Sequence, residues 1–340
     1  MRAVPTGIGD DCAVLRPRTG HDTLVTTDFT LEGIHFRREW HPPESVGHRC
    51  LARGLSDIAA MGGEPVAFFL SLALPRNLPQ SWVSHFARGL LALADKYGVT
   101  LAGGDTAESP GGILADIIVI GTVPKGKAIL RSGARPGDQI YVSGELGASA
   151  AALQQLRRHD CERDSNEHRR SSGEARACPE RTRGNEGESN GDLAWTAHEA
   201  ENKPTRDYPR HFYPDPRLAL GRLLREEGLA SAMIDTSDGL STDLAHISEE
   251  SRVGAEIESA LVPRACVGRP AREASLDLAL HGGEDYELLF TAPRTKRIPG
   301  QIAGVPLTMI GHITRQPKIL LRDVHGIARR LVPHGWEHFR

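Results

Sequence analysis

Apolar residues in this chain come in short blocks broken by glycine, and the blocks switch between helical and strand periods. Val83, Phe86, Leu90, Leu93 and Tyr97 recur at helical spacing, with Gly98 placed as a C-terminal cap. Leu51, Leu55 and Ile58 mark a second buried stripe, which predicts a helix from Glu44 to Met61 ended by Gly62 and Gly63. A short strand over 99–101 runs into Gly103-Gly104-Asp105. Residues 114–123 and 139–142 read as buried strands, and a glycine-bearing turn follows the second, before a helix beginning near Ala148. Further on, 232–234 reads as a strand opening onto Asp235-Thr-Ser-Asp-Gly. A helix through Leu244 and Ile247 comes next, then strands over 286–291 and 307–313. Strands alternating with helices predict an α/β or α+β protein. At 340 residues the chain suits two domains.

One stretch breaks the pattern. Residues 157–210 contain no Val, Ile or Phe between Arg158 and Asp207. Such a segment buries too little apolar surface to offset the entropy of ordering, so a disordered or loosely held insertion is expected there. Its charges are mixed in sign, which disfavours a basic docking arm. Periodic sequence is expected to return at Pro214.

Composition narrows the function classes. A formal net charge of -3 argues against nucleic acid or an anionic membrane as partner. No apolar run approaches the ~20 residues needed to cross a bilayer, and the N-terminus has no signal-peptide pattern. The five cysteines, Cys12, Cys50, Cys161, Cys178 and Cys266, form no CxxC pair, so neither a disulfide framework nor a zinc site is expected. A reduced, cytoplasmic setting fits, with Cys12 as a small core residue.

The candidate chemistry lies in aspartates that recur at the ends of apolar blocks beside glycine or a hydroxyl. They are Asp10-Asp11, Asp28, Asp57, Asp105, Asp235 and Asp238. Any one of them alone is ordinary turn chemistry. Together they suit magnesium, which takes one or two carboxylates plus waters and substrate phosphates. Small neighbours let backbone approach a phosphate. No GxxxxGK[ST] phosphate loop occurs, nor any HRD or DFG of the protein kinases. Spacing alone therefore reaches only metal and phosphate.

Seven segments together resemble the thiamine-monophosphate kinase family of the aminoimidazole-ribonucleotide synthetase-like superfamily. They are GIGDDCAVL (7–15), TTDFTLEGIHF (26–36), LSDIAAMGG (55–63), LAGGDT (101–106), GTVPKGKAILRSGARPGDQIYVSG (121–144), MIDTSDGLSTDLAHI (233–247) and GGEDYELLFT (282–291). The resemblance implies an N-terminal α/β domain (1–135) that binds ATP and magnesium, and a C-terminal α/β domain (136–340) carrying the insertion. It also implies a homodimer formed through N-terminal strands, and direct in-line transfer of the γ-phosphoryl group of ATP to thiamine monophosphate. On the same basis Asp11, Thr26, Thr27, Asp28, Asp57, Asp105, Asp235 and Asp238 resemble the ligands of several Mg2+ ions. Tyr97, Gly104, Asp105, Arg131 and Ser237 match nucleotide-contacting positions. His35, Glu284 and Trp336 match positions lining the thiamine-phosphate site, and Asp105, Arg131 and Asp238 take the catalytic roles. Independently, Arg131 is a permanently charged planar donor suited to phosphate, and Trp336 could stack on a cationic ring. Six residues precede Gly7, fewer than in the family, so either the start is misassigned or the family's Gly-Glu-Phe element is missing.

Two other readings compete. A ligase of the same superfamily would share the aspartates but lack GGEDYELLFT and VPKGKAILRSGA. A catalytically dead nucleotide-binding scaffold would have lost aspartates that stand here.

Overall fold

The computed structural model describes residues 3–9, 11–158 and 204–335. Its N-terminal half is a four-stranded sheet in the order β1-β4-β2-β3, built from β1 (His21–Leu31), β2 (Glu64–Pro75), β3 (Thr100–Ser109) and β4 (Leu114–Pro124). All neighbours are antiparallel except β2 and β3. Two helices, α1 (Pro43–Ala60) and α2 (Gln80–Tyr97), supply the crossovers. Pro43 starts α1, where its missing N–H costs nothing. Gly98 ends α2 in the left-handed conformation (φ 65°), as expected. The α2 stripe buries Phe86, Leu90 and Leu93, each stabilising by about 1.5–3 kcal/mol.

The two helices touch backbone to backbone. A Cβ on Gly47 would lie 2.0 Å from the Phe86 carbonyl oxygen, and one on Gly89 would lie 1.9 Å from that of Glu44. Backbone cannot move aside as a side-chain tip can. Gly89→Ala is therefore expected to lower stability by about 3 kcal/mol through overpacking, read as a lower urea midpoint at unchanged m-value.

The strand expected over 99–101 runs much further, from Thr100 to Ser109. Gly103-Gly104-Asp105 is extended sheet, with Gly104 opposite Leu70. A Cβ on Gly104 would come within 1.9 Å of the Leu70 carbonyl oxygen, so glycine permits this close parallel pairing.

The C-terminal half holds a second, mostly antiparallel sheet in the order β14-β13-β7-β12-β5-β10-β6, with a short strand β11 beside β12. The strands are β5 (Gln139–Ser143), β6 (Ala232–Asp235), β7 (Gly254–Glu258), β10 (Leu288–Ala292), β11 (Gln301–Ile302), β12 (Val305–Thr314), β13 (Ile319–Arg322) and β14 (Ala328–Arg330). β8 (Cys266–Val267) and β9 (Arg272–Glu273) form a separate ribbon. Helices here are α3 (148–158), α4 (Pro209–Phe212), α5 (Leu218–Glu226), α6 (Leu240–Ser251) and α7 (Leu276–His281). β10 is buried on both faces. Leu288 and Phe290 join the core around α1 and α5, while Leu289 joins the core around α6 and α7. α1 is therefore shared by both halves, and Gly221 of α5 brings that helix against the Ala59 carbonyl.

Of the expected loose stretch at 157–210, residues 159–203 lie outside the described residues. The first described element after them is a 3-10 turn, Pro204–Arg206, ahead of the expected Pro214. Tyr208 and Phe212 explain this, because both bury against Leu156 and Ala152 of α3. Cys12 is exposed rather than in the core. It lies on the turn of an N-terminal hairpin in which the Val14 N–H donates to the Thr6 carbonyl (2.9 Å). Among the described residues no helix is long and apolar enough to cross a membrane.

Candidate active site

Three carboxylates from three elements converge where α1 meets both sheets. Asp28 projects from β1, Asp57 from the last turns of α1, and Asp235 from the end of β6. Thr26 and Asp28 share the α1-facing side of β1: the Thr26 hydroxyl donates a very short hydrogen bond to Asp57, and Asp28 Oδ1 lies 3.7 Å from Arg53 Nη2. Ser56 donates to Asp235 Oδ2 at 2.7 Å.

Their electrostatics are unfavourable as they stand. Burial, together with the charges of Asp57 and Asp116 and against the pull of Arg53, pushes the Asp28 carboxyl up to about 6. Burial and the neighbouring Asp57 push Asp235 up to about 7. Asp57 is also raised by burial, opposed by the Thr26 hydroxyl, Arg131 and Arg53. Like charges brought together out of water call for a cation. Among the described residues, no three His, Cys, Asp or Glu side chains close on one point tightly enough to hold a metal ion by themselves. Magnesium does not need that, since waters and substrate phosphates complete its shell. Repelling carboxylates gathered in this way fit such an ion.

A second group adjoins the first. Glu284 is gripped by Arg49 (2.8 Å) and Arg53 (3.3 Å). The two guanidiniums overcome the effect of burial and hold its carboxyl below the usual range. His35 Nδ1 accepts the Leu31 N–H at 3.0 Å, which leaves Nε2 as the donor of a neutral ring. Glu284 and Tyr286 both have positive φ, 66° and 53°. Such non-glycine backbone is costly and gathers at functional sites. Its hold is visible: the Glu284 and Tyr286 N–H groups donate to the carbonyls of Ser237 (2.9 Å) and Thr236 (3.0 Å). The segment 284–286 is thus stitched to the Asp235–Asp238 turn.

That turn leads into α6. Gly239 is its N-cap (φ 108°), and the Gly239 N–H donates to Asp243 Oδ2 at 3.0 Å. Asp243 is raised well above the usual carboxylate range by burial and by the charges of Asp235 and Asp238. Gly335 packs directly on the Asp238 carbonyl, so the chain reaches the turn just before Trp336. Trp336 itself lies outside the described residues, as does Asp10.

The other expected site residues stand further off. The Thr27 hydroxyl points to the opposite sheet face, donating to Asp116 Oδ1 at 2.8 Å. Only its backbone remains available to a metal on the α1 side. Asp105 and Gly104 are on β3, at the opposite edge of the sheet from Asp28 on β1. Three strand spacings, about 14 Å, separate those edges. Asp105 is exposed there, with Oδ1 accepting the Thr106 N–H (2.8 Å). Asp11 sits on the exposed turn of the N-terminal hairpin. Tyr97 closes α2, its hydroxyl donating to Asp215 (2.6 Å) and the Pro216 carbonyl. Arg131 is exposed, near enough to Asp57 and Asp235 to lower both carboxyls.

Sequence reasoning passed over Arg49, Arg53, Ser56, Asp243 and Asp285. Asp285 is half-buried beside the start of α3, accepting the N–H groups of Gly147 (2.6 Å) and Ser149 (3.1 Å). Burial pushes it up to about 7 despite those bonds. Arg49, Arg53 and Asp57 fall four residues apart on one helix, so a search for polar positions at helical spacing would have found them.

The carboxylate group carries a testable pH signature. Asp28 and Asp235 have folded values above their unfolded ones, so the folded chain binds more protons between about pH 4 and 7. Their contribution to stability is full below that window and is lost as pH rises through it. A divalent cation takes the proton's place. The rise in melting temperature caused by Mg2+ is therefore expected to be larger at pH 8 than at pH 6, and to shrink in Asp235→Asn. Reading the Mg2+-dependent increment cancels the opposite trend from His41 and His211, which burial holds neutral.

Comparison with known proteins agrees in family and fold. Residues 9–123 match the family described as AIR synthase related protein, N-terminal domain. The thiamine-monophosphate kinase of Escherichia coli (strain K12) is 36% identical over 99% of this chain and 92% of its own length. The crystal structure of thiamine-monophosphate kinase from Stenotrophomonas maltophilia K279a superposes with a TM-score of 0.74 at 33% identity, covering 96% of this chain and 92% of that one. AaThiL, solved in complex with AMPPCP and TMP, superposes with a TM-score of 0.72 at 29% identity over 98% and 92% of the two chains.

Proposed function

The chain belongs to the thiamine-monophosphate kinase family, and from that premise we propose that it transfers the γ-phosphoryl group of ATP to thiamine monophosphate, giving thiamine diphosphate and ADP. The observation that carries the reading is the meeting of Asp28, Asp57 and Asp235 beside the Arg49–Glu284–Arg53 group: a site demanding cations next to one presenting charged donors and a neutral imidazole. AaThiL was solved with AMPPCP and TMP together, which supports the pairing of substrates.

Transfer is in line. An oxygen of the acceptor phosphate attacks the γ-phosphorus as its bond to the β-phosphate oxygen breaks, and ADP carries away the electron pair. The acceptor is already anionic, so no general base is required. Asp28, Asp57, Asp235 and Asp238 would hold Mg2+, with Asp11, Asp105 and the Thr26 and Thr27 segment as further ligands. When bound, Mg2+ neutralises the phosphates and orients them. Arg131 adds positive charge near Asp57 and Asp235, where the nucleotide phosphates would lie, and Ser237, Gly104 and Tyr97 are assigned to the nucleotide. His35 and Glu284 orient the thiamine moiety, and Trp336 is assigned to cover it. Asp105, Arg131 and Asp238 take the catalytic roles through substrate and ion contact.

We further infer two domains, 1–135 and 136–340, a cytoplasmic location and a homodimer that binds neither nucleic acid nor membrane. The outer face of the first sheet supports the dimer. Val25 and Phe29 are 65% and 54% exposed there, beside half-buried Ile118, Ile120 and Phe69. An apolar face of this kind marks an interaction surface. Pairing two such sheets about a two-fold axis parallel to the strands would also bring the β3 edge of one copy, with Asp105, towards the β1 edge of the other.

A chromatographic assay with ATP, Mg2+ and thiamine monophosphate tests the reading. Formation of thiamine diphosphate with equimolar ADP supports it. ATP binding without any phosphorylated product, in folded protein, would leave a nucleotide-binding scaffold instead.

A further inference from the structure

Among the described residues, Arg53 is the one cation that touches both halves of the candidate site. It sits one helical turn before Asp57 on α1, with its guanidinium between Asp28 Oδ1 (3.7 Å) and Glu284 Oε1 (3.3 Å). Both contacts are long for charge-assisted hydrogen bonds, which settle near 2.7–2.9 Å. Nε is buried with no hydrogen-bond partner among the described residues. Arg49, by contrast, is fully committed: it holds Glu284 at 2.8 Å and donates a very short bond to the His211 carbonyl. Glu284 therefore has its neutralising partner already, and Arg53 brings a charge and donors that the protein alone does not saturate. The Arg53 side chain remains 16% exposed, so a ligand can reach it.

Its place matters as much as its unused donors. An acceptor oriented at one end by Glu284 and His35, and reacting at the other with a nucleotide held at the carboxylates, must carry its own phosphate between the two groups. Arg53 occupies that boundary. We propose that Arg53 binds the phosphate of the acceptor and sets the preference for a phosphate monoester over the free alcohol. This rests on the functional reading above, which assigns Arg53 no contact of its own with the acceptor. The fork geometry of guanidinium suits two phosphate oxygens, which a lysine ammonium cannot match.

The test compares the wild-type full-length chain with Arg53→Gln and Arg53→Lys. Binding of thiamine monophosphate and of unphosphorylated thiamine is measured by calorimetry with AMPPCP and Mg2+ present, and KM for ATP is measured alongside. Loss of a charge-assisted contact predicts about 10–100-fold weaker thiamine monophosphate binding in Arg53→Gln, with partial recovery in Arg53→Lys. Thiamine binding and KM for ATP are expected to hold within about threefold of wild type, an allowance for indirect effects. Equal weakening of thiamine and its monophosphate would assign Arg53 to support of Glu284 and overturn the proposal, as would unchanged monophosphate affinity. A melting temperature for each variant separates loss of fold from loss of contact. Should Arg53→Gln not fold, Arg53→Lys decides, because an intact monophosphate preference there also overturns the proposal. Wild-type protein that neither binds nor phosphorylates thiamine monophosphate would overturn both readings, whereas wild-type turnover with an unaltered preference in the variants overturns this one alone.

Discussion

Asp57→Asn is expected to reduce kcat by ~10²–10³-fold, the scale on which removing one preorganised electrostatic element acts. Asp57 stands at the centre of the carboxylate group, and its charge bears on both Asp28 and Asp235. Asparagine keeps the shape and can still accept from the Thr26 hydroxyl. What it removes is one negative charge at the point where cations must be drawn. The same change relieves repulsion when no cation is present, so the variant's melting temperature without Mg2+ should equal or exceed that of the wild type. Loss of turnover with undiminished stability is a signature that general misfolding cannot imitate. A kcat within tenfold of wild type would place the cation site elsewhere. Steady-state kinetics with a Mg2+ titration and a thermal melt together make the measurement.

Much of this architecture was legible in the chain because it rests on local periodicity. The stripe from Val83 to Tyr97 with Gly98 behind it became α2 and its left-handed cap. Residues 114–123 became β4, buried at alternate positions. Prediction failed where periodicity and geometry part company. β3 continues through three residues with no apolar side chain, because Gly104 is there to admit the Leu70 carbonyl, which no hydropathy pattern records. Thr27 sits between Thr26 and Asp28 in a motif that reads as one unit. Strand alternation nevertheless sends its hydroxyl to Asp116 on the far face. Asp243 and Asp285 lay inside segments singled out for chemistry, yet their perturbation comes from burial, a property of the assembled fold. The segments after 203 were discounted for their polar setting, although Tyr208 and Phe212 suffice to pin them to α3. The resemblance supplied site roles that spacing did not, and the structure distributes those residues over two edges of a sheet and a turn.

Arg217→Met is expected to cost about 3–5 kcal/mol of stability, the usual consequence of stripping one partner from a buried ion pair. Glu287 is 2% exposed and grips Arg217 with both carboxylate oxygens, at 2.8 and 2.5 Å. It also accepts from the Ser143 hydroxyl at 2.5 Å. Without the guanidinium a carboxylate is left in a site where even the glycine beside it is constrained: a Cβ on Gly144 would lie 2.1 Å from Glu287 Oε1. Urea denaturation should show the loss, and the double variant Arg217→Met with Glu287→Gln should recover part of it, because the unpaired charge goes. An additive double variant would mean that the pair is weaker than its burial implies. The effect should also reach the active site. The Thr236 N–H donates to the Glu287 carbonyl (2.8 Å), and the Glu287 N–H donates to the Thr236 hydroxyl (3.0 Å). These bonds fix the turn that carries Asp235 and Asp238. Arg217 meanwhile lies 3.6 Å from Asp215, which accepts from Tyr97. Loosening Glu287 should therefore weaken the stabilisation by Mg2+ more than a change of equal cost far from the turn, such as Gly89→Ala, so the two variants compared at matched stability separate a local from a global effect.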